Sequence, residues 1–253
     1  MNSAATPASR PHLLGLLAGL FLAAGLVLSA MVFTRAWLKI SESEAITVTG
    51  SARRNVEADL IAWRGSFATE QPTLLDAQKR LAEDRRKVEV FLAQHGFTNA
   101  SFNSIAITEL QARQVQNEGG EETARQKTVG YRLTQALEIR SGNIDAVLAM
   151  DRSTVALLEA GVVFTAATPD FIYTQAGEAK IEMLAEATQD AKARAGQIAD
   201  QGNRRIARLR SARMGVFQIT PLYSTQASWD GMNDTTSRQK TVTAVVNVAF
   251  LLD

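Results

Sequence analysis

The sequence contains no cysteine, which excludes disulfides, thiolate nucleophiles and cysteine-ligated zinc or iron–sulfur sites. Histidine is almost as scarce, because only His12 and His95 occur and they lie far apart in the chain. His95 precedes Gly96 in a pattern typical of a helix C-terminus, where the helix dipole favours a histidine without any ligand role. The sequence therefore predicts neither a metal site nor a cofactor.

The motifs that carry familiar chemistries are also missing. The sequence has no metal-ligand spacing, nucleophile elbow, phosphate loop or dinucleotide fingerprint. Gly119 and Gly120 lie among acidic residues that would repel a phosphate, so they predict a hairpin tip. Glu178, Glu182 and Glu186 follow helical spacing and indicate a solvated helix face. We expect no catalytic residues; the alternative is an uncharacterised enzyme that uses carboxylates and arginines in a cleft.

Acidic residues are absent from the first 40 positions, which hold three of the 27 basic residues. The remainder is close to neutral, with 24 basic residues against 26 acidic ones, and so lacks the long-range field that nucleic-acid binding requires. Arginines at 204, 205, 208, 210 and 213 form a basic run, but no aromatic residue for base stacking lies between 206 and 216. We expect a solvated or oligomer-contacting surface there, and no nucleic-acid partner.

Charged residues are also absent from 13–33, which is a long apolar segment. About 20 apolar residues let a helix cross the hydrocarbon core, and Trp37 suits the headgroup level beyond it. A cleaved signal peptide is the alternative, although its apolar region is usually only about 7–15 residues long. Basic residues flank the segment almost equally, so charge does not set its orientation. We predict a tail at 1–12, a transmembrane anchor at 13–33, a juxtamembrane linker at 34–44 and a folded domain at 45–253.

Beyond the linker, stretches of alternating hydrophobicity are interspersed with stretches of helical period. The alternation predicts strands at 46–50, 56–69, 102–115, 127–140, 162–164, 171–173, 206–219 and 240–252. The helical period predicts helices at 73–95, 141–160 (one helix or two short ones) and 176–201, each followed by a glycine. The last strand is apolar on both faces, so we expect it in the middle of a sheet.

Particular side chains are expected to form the core. In strand 56–69 these are Ile61, Trp63 and Phe67. In strand 127–140 they are Val129, Tyr131, Leu133, Leu137 and Ile139. In helix 176–201 the apolar stripe consists of Ile181, Leu184, Ala191, Ala195 and Ile198.

The order helix, strand, polar loop, strand occurs twice, in 73–140 and in 176–252. We therefore predict an α+β fold of pseudo-duplicated helix–hairpin units, in which two long helices cover an antiparallel sheet. One N-terminal transmembrane helix precedes it.

The loop at 220–239 is too long for an ordinary hairpin. It carries Tyr223, Trp229 and Met232, which are residue types enriched at protein contacts. Either these side chains form an interaction loop, or they fold back and cap the core of the domain. We expect a homo-oligomer to which this loop contributes more than the acidic tip at 117–122.

Several segments carry a resemblance when taken together: Ile46–Gly50, Gly130–Arg132, Gly161–Phe164, Ala185–Ala195 and Val242–Leu252. Over nearly all of 45–252 the chain resembles the SIMPL family of bacterial proteins. Ala58 stands where that family usually has a proline, which indicates a divergent branch. The resemblance implies an α+β fold, an extracytoplasmic domain and, in some relatives, envelope antigens, oxidative-stress defence or ring-like oligomers. No catalytic residue is established for the family, so none is carried over.

The sequence thus predicts a single-pass, non-enzymatic protein of the inner membrane, with its C-terminal domain in the periplasm or outside the cell. Its expected partners are the membrane, through 13–33, and further copies of itself. The alternative enzyme should reveal itself by a concave site with convergent, desolvated acids.

Overall fold

A computed structural model of the protein describes residues 11–41, 44–118, 121–224, 228 and 230–253. It confirms an α+β chain whose strands pair in antiparallel sheets. The elements are α1 (Pro11–Ser41), β1 (Ala45–Glu57), β2 (Leu60–Gln71), α2 (Leu74–Gln94), β3 (Ser101–Phe102), β4 (Ala106–Glu118), β5 (Glu121–Ser141), α3 (Ile144–Arg152), α4 (Val155–Glu159), β6 (Val163–Ala166), β7 (Asp170–Ile172), α5 (Ala176–Gln201), β8 (Ile206–Pro221) and β9 (Gln239–Leu252).

Helix α1 contains the apolar segment that the sequence singles out. Its stretch Gly15–Trp37, 23 residues long, is long and apolar enough to cross a membrane, and its side chains are exposed. The predicted span 13–33 lies inside this helix, and the apolar stretch continues beyond it to Trp37. A membrane anchor and a signal sequence share these properties.

The residues group into two compact units. The first unit consists of 1–50, 188–214 and 246–253, and the second consists of 51–187 and 215–245. The boundaries fall inside β1, α5, β8 and β9, so the predicted domain 45–253 has residues in both units.

Strands β1, β9 and β8 form a three-stranded sheet in that order. The central place of β9 confirms the expectation from its two apolar faces. The antiparallel pairing shows in the backbone, where Leu252 N donates to Glu44 O at 3.0 Å and Leu222 N donates to Gln239 O at 3.1 Å. Strand β8 lies at one edge of the sheet, and its residues 207–214 are all exposed.

The second sheet, in the second unit, has six strands. Its order is β3-β5-β2-β6, with β4 also paired to β5 and β7 also paired to β2. Ile61, Trp63 and Phe67 are buried in its core as predicted, and the Trp63 indole donates to Asp151 Oδ1 at 2.7 Å. Helix α2 packs on β2 and β5, so this helix covers the sheet as expected.

Helix α2 begins and ends where its sequence predicts. The Thr73 side chain accepts a hydrogen bond from Asp76 N at 3.2 Å and caps the N-terminus. At the other end His95 is the C-cap residue and Gly96 adopts a left-handed φ of 85°. The His95 ring contacts Phe91 O at 2.9 Å, which fits a capping role.

Two predictions about the core are wrong. Val129 is 54% exposed: a β-bulge pairs Leu110 with Gly130 and Gln111 with Thr128, which leaves Val129 as the extra residue, and its neighbours at 126–128 are exposed on both faces as well. On α5, Ile181 is 74% exposed and Ile198 is exposed as well. Ala191 and Ala195 are buried as predicted, and the buried face of α5 continues from them at a spacing of four through Ala179, Met183, Ala187 and Ala199. This face is made mostly of small residues, whereas the bulkier Ile181 and Ile198 lie outside it.

Candidate functional site

The predicted interaction loop at 220–239 divides into an outward part and an inward part. Tyr223 is 83% exposed and adopts a left-handed φ of 61°, which is uncommon outside glycine. Trp229 lies outside the described residues. Met232 is partly buried, and its carbonyl accepts a hydrogen bond from Ile219 N at 2.6 Å. Of the two described members, Tyr223 is therefore available to a partner, whereas Met232 folds back.

Met232 lines a cavity of about 360 Å³ in the second unit. Tyr173, Phe217 and Ile219 contribute apolar walls, and Asp230 and Asn233 contribute polar ones. Gly231 holds this part of the loop close to β8 with a φ of 83°, and a Cβ at that position would lie 2.7 Å from Phe217 O. The close backbone approach explains why glycine occupies this position.

A buried ion pair fixes the end of the loop. Lys240 is 0% exposed, and its Nζ donates to Asp234 Oδ2 at 3.0 Å and to the Asp234 carbonyl. Burial acts to raise the pKa of Asp234, but hydrogen bonds from Thr236 and Lys240 outweigh burial and lower that pKa to about 2. The Asp234 carboxyl is therefore ionised at neutral pH, and its contact with Lys240 holds the loop against β9.

The alternative enzyme requires a concave site with convergent, desolvated acids, and a different site meets part of this criterion. A cleft of about 540 Å³ in the second unit is lined by Thr69, Glu70, Arg80, Asp84, Arg132 and Thr134, among others. Asp84 is only 2% exposed, and its burial raises the pKa of its carboxyl despite the opposing charges of Arg80 and Lys87. Arg80 Nε lies 3.3 Å from Asp84 Oδ1, yet that oxygen accepts no hydrogen bond from the described residues.

The other charged groups of the Asp84 cleft are paired with protein atoms. Arg80 donates to Gly161 O at 2.9 Å, and Arg132 Nε donates to Glu70 Oε1 at 2.6 Å. Glu70 and Arg132 are both exposed. The cleft thus offers one desolvated carboxyl for proton transfer or ligand binding, beside a neutralised surface pair.

Asp84 was not predicted as a site residue, although the sequence of α2 contains a signal for it. The buried stripe of α2 contains Ala77, Leu81 and Val88, and Asp84 occupies the helical position between Leu81 and Val88. An acid at a core position of an apolar stripe requires a compensating partner, and here Arg80 one turn earlier supplies it.

The remaining charged sets behave largely as solvated surfaces. Glu182 and Glu186 form ion pairs with Arg54 on β1, at 2.6 and 2.5 Å; both glutamates are exposed and Arg54 is partly buried. In the basic run, Arg204 pairs with Glu44 at 3.0 Å. The other four arginines, at 205, 208, 210 and 213, have no carboxylate within 4.0 Å among the described residues.

The β4–β5 hairpin is a further exposed surface. Side chains at 111–113 and 126–129 are exposed on both faces of the ladder, so this part of the hairpin is not covered by other described elements. Ile105 and Ile107 are also exposed, and Ile107 pairs across the ladder with buried Leu133. The apolar face of the sheet therefore continues beyond its core to an open edge.

A comparison with protein-family models identifies the family of the folded part of the chain. The model of SIMPL, described as a protein of unknown function (DUF541), matches residues 46–250. The chain belongs to the SIMPL family. A search of curated proteins finds no match. The SIMPL match includes the Asp84 cleft, the loop at 220–239 and the basic run, whereas α1 lies outside it.

Proposed function

We propose that this SIMPL protein is a non-enzymatic component of the cell envelope that works by self-association. Helix α1 would hold it in the inner membrane, with the C-terminal domain in the periplasm or outside the cell. The exposed 23-residue apolar stretch of α1 supports the anchor. Membership of the family supports the extracytoplasmic side. A link to envelope or oxidative stress is part of the proposal and rests on the resemblance to described relatives.

The open edge of the six-stranded sheet carries the proposal of self-association. Among the described strands β4 pairs only with β5, so its other edge, in a strand of 13 residues, presents backbone groups that no described strand pairs with. Such an edge must be covered, blunted or paired, and Ile105 and Ile107 add apolar surface beside it. Anchoring raises the local concentration of copies and favours their pairing.

The mass of the full chain in detergent tests self-association. We expect sedimentation at tens of micromolar to give a particle with more than one copy. A monomer across that range contradicts the proposal.

Membrane topology requires two separate measurements. We expect the mass of the purified protein to include 13–33, and a periplasmic reporter fused after Asp253 to be active. A mature protein that starts beyond Met31 contradicts the anchor. Activity of a cytoplasmic reporter alone reverses the orientation.

The Asp84 cleft favours a second candidate function, an enzyme that uses a carboxyl with a raised pKa. A thermal-shift screen of small polar metabolites on the wild type and on Asp84→Asn tests it. A compound that stabilises only the wild type and is then chemically converted establishes this function. Stabilisation without conversion identifies a binding site instead.

A further inference from the structure

The basic strand at 205–214, which comprises Arg205 and the first nine residues of β8, carries a charge that no described carboxylate neutralises. No acidic residue occurs between Asp200 and Asp230. Arg205, Arg208, Arg210 and Arg213 have no carboxylate within 4.0 Å among the described residues. These four guanidinium groups, three on β8 and one directly before it, create a local positive field, even though the chain as a whole carries a net charge of only +1.

The same strand leaves both faces and one edge accessible to a partner, while its other edge pairs with β9. It lies at the edge of the three-stranded sheet, and residues 207–214 are exposed on both faces. Leu209 and Met214 are exposed among the arginines. Basic side chains interspersed with apolar ones are typical of protein surfaces that lie against anionic bilayers.

The start of the basic strand contacts a residue that follows the membrane segment closely in the chain. Arg204 Nη1 contacts Glu44 Oε2 at 3.0 Å, and Leu252 N donates to Glu44 O at 3.0 Å, so Glu44 is fixed beside the start of β8. Glu44 follows Trp37, the last residue of the apolar stretch, by seven positions. Seven residues span at most about 25 Å, and strand 205–213 is itself only about 26 Å long. Headgroups are therefore within reach of these arginines.

We propose that the basic strand at 205–214 docks on the anionic phospholipid headgroups of the bilayer that holds α1. Each arginine that reaches the headgroups should favour docking by about fivefold. A second copy is the poorer partner, because pairing this edge with its own counterpart would bring eight unpaired guanidinium groups together. The proposal rests on α1 being an anchor, so its test must report anchor and docking separately.

Because the chain has no cysteine, single labelled cysteines can report each event in the full protein. The protein is placed at one copy per lipid nanodisc, made of phosphatidylcholine alone or with 30% phosphatidylglycerol. A fluorophore on Leu26→Cys, quenched by spin-labelled acyl chains, reports the anchor. A fluorophore on Leu209→Cys, quenched by spin-labelled headgroups, reports docking. Leu158→Cys, exposed in the second unit, is the matched control.

We expect quenching at 209 to rise several-fold with phosphatidylglycerol and to fall in 0.5 M NaCl, while quenching at 158 does not change. Replacing the four arginines with glutamine should reduce quenching at 209 to its value in phosphatidylcholine, and replacing them with lysine should preserve it.

Equal quenching at 209 in both lipids, with position 26 quenched, overturns docking and leaves the anchor intact. A signal at 209 only with two copies per disc assigns the strand to protein contact and also overturns docking. Loss of quenching at 26 contradicts the anchor itself.

Discussion

At the scale of single residues, the ion pair of Lys240 and Asp234 is the most deeply buried of those described. Removing one partner of a buried pair leaves an uncompensated charge in a medium of low polarity. We expect Asp234→Ala to lower the free energy of unfolding by about 3–5 kcal/mol. Urea denaturation measures it, with Glu70→Ala as the control, because Glu70 and Arg132 form an exposed pair worth about 1 kcal/mol or less. Equal losses in both variants contradict this account.

The lowered pKa of Asp234 predicts how the stability of the protein depends on pH. The pKa of Asp234 is about 2 in the folded state and 3.8 ordinarily, so the folded state binds fewer protons in between. Its stabilising contribution is complete above about pH 4 and is lost as the pH falls towards 2. The stability difference between wild type and Asp234→Ala should therefore shrink across that window. A constant difference contradicts the lowered pKa.

The raised pKa of Asp84 predicts the opposite dependence of stability on pH. Burial raises its pKa, so its protonated form is favoured in the folded state and the domain loses stability as the pH rises through the ordinary value of 3.8. Asp84→Asn keeps the shape and removes the charge. We expect this variant to gain stability relative to the wild type between pH 3.5 and 7 in urea denaturation. A relative loss over that range would show that the contact with Arg80 outweighs burial.

At the scale of elements, the close approach of Gly231 to β8 holds the loop at 220–239. Gly231→Ala places a Cβ 2.7 Å from Phe217 O in a left-handed backbone conformation, so we expect a loss of about 1–3 kcal/mol. Gly196→Ala on α5 meets no atom within 4 Å and should gain up to about 1 kcal/mol. Thermal unfolding compares the two variants. A neutral Gly231→Ala contradicts the constraint on the loop.

Local sequence patterns predicted the helices and strands well, because the formation of a helix or strand depends mainly on residues that are neighbours in the sequence. Alternation located β2 and its buried Trp63, and capping residues located both ends of α2. The face of α5 was harder, since hydrophobicity favours Ile181 whereas close packing buries Ala179 and Ala187. The extra residue Val129 depends on cross-strand register, which no local pattern contains.

The candidate sites were less predictable for a related physical reason. The Asp84 cleft brings together residues of α2, β2, β5 and the turn before β6, which are far apart in sequence. The loop at 220–239 was identified from its composition, but composition does not distinguish an outward Tyr223 from an inward Met232. The arginines of β8 were visible as a run, and only the sheet order showed that they lie on an open edge.

At the scale of the whole molecule, two exposed surfaces compete as the self-association contact. The sequence favours the loop at 220–239. Of its three predicted contact residues, however, Met232 lines a cavity, Trp229 lies outside the described residues, and Tyr223 is exposed. The β4–β5 hairpin offers an unpaired edge together with Ile105 and Ile107. We therefore expect the hairpin edge to contribute more than the loop.

Two substitutions, each at an exposed side chain, decide between the surfaces. Ile107→Lys places a charge on the edge, where neither packing nor buried polar groups oppose it, so it should reduce the oligomer without unfolding the domain. Tyr223→Lys makes the equivalent change on the loop. We expect sedimentation of the full chain in detergent to show dissociation at least tenfold easier for Ile107→Lys than for Tyr223→Lys, with far-ultraviolet circular dichroism unchanged in both. If Tyr223→Lys dissociates the oligomer and Ile107→Lys does not, the loop is the contact and the edge of β4 is protected by its charged neighbours alone.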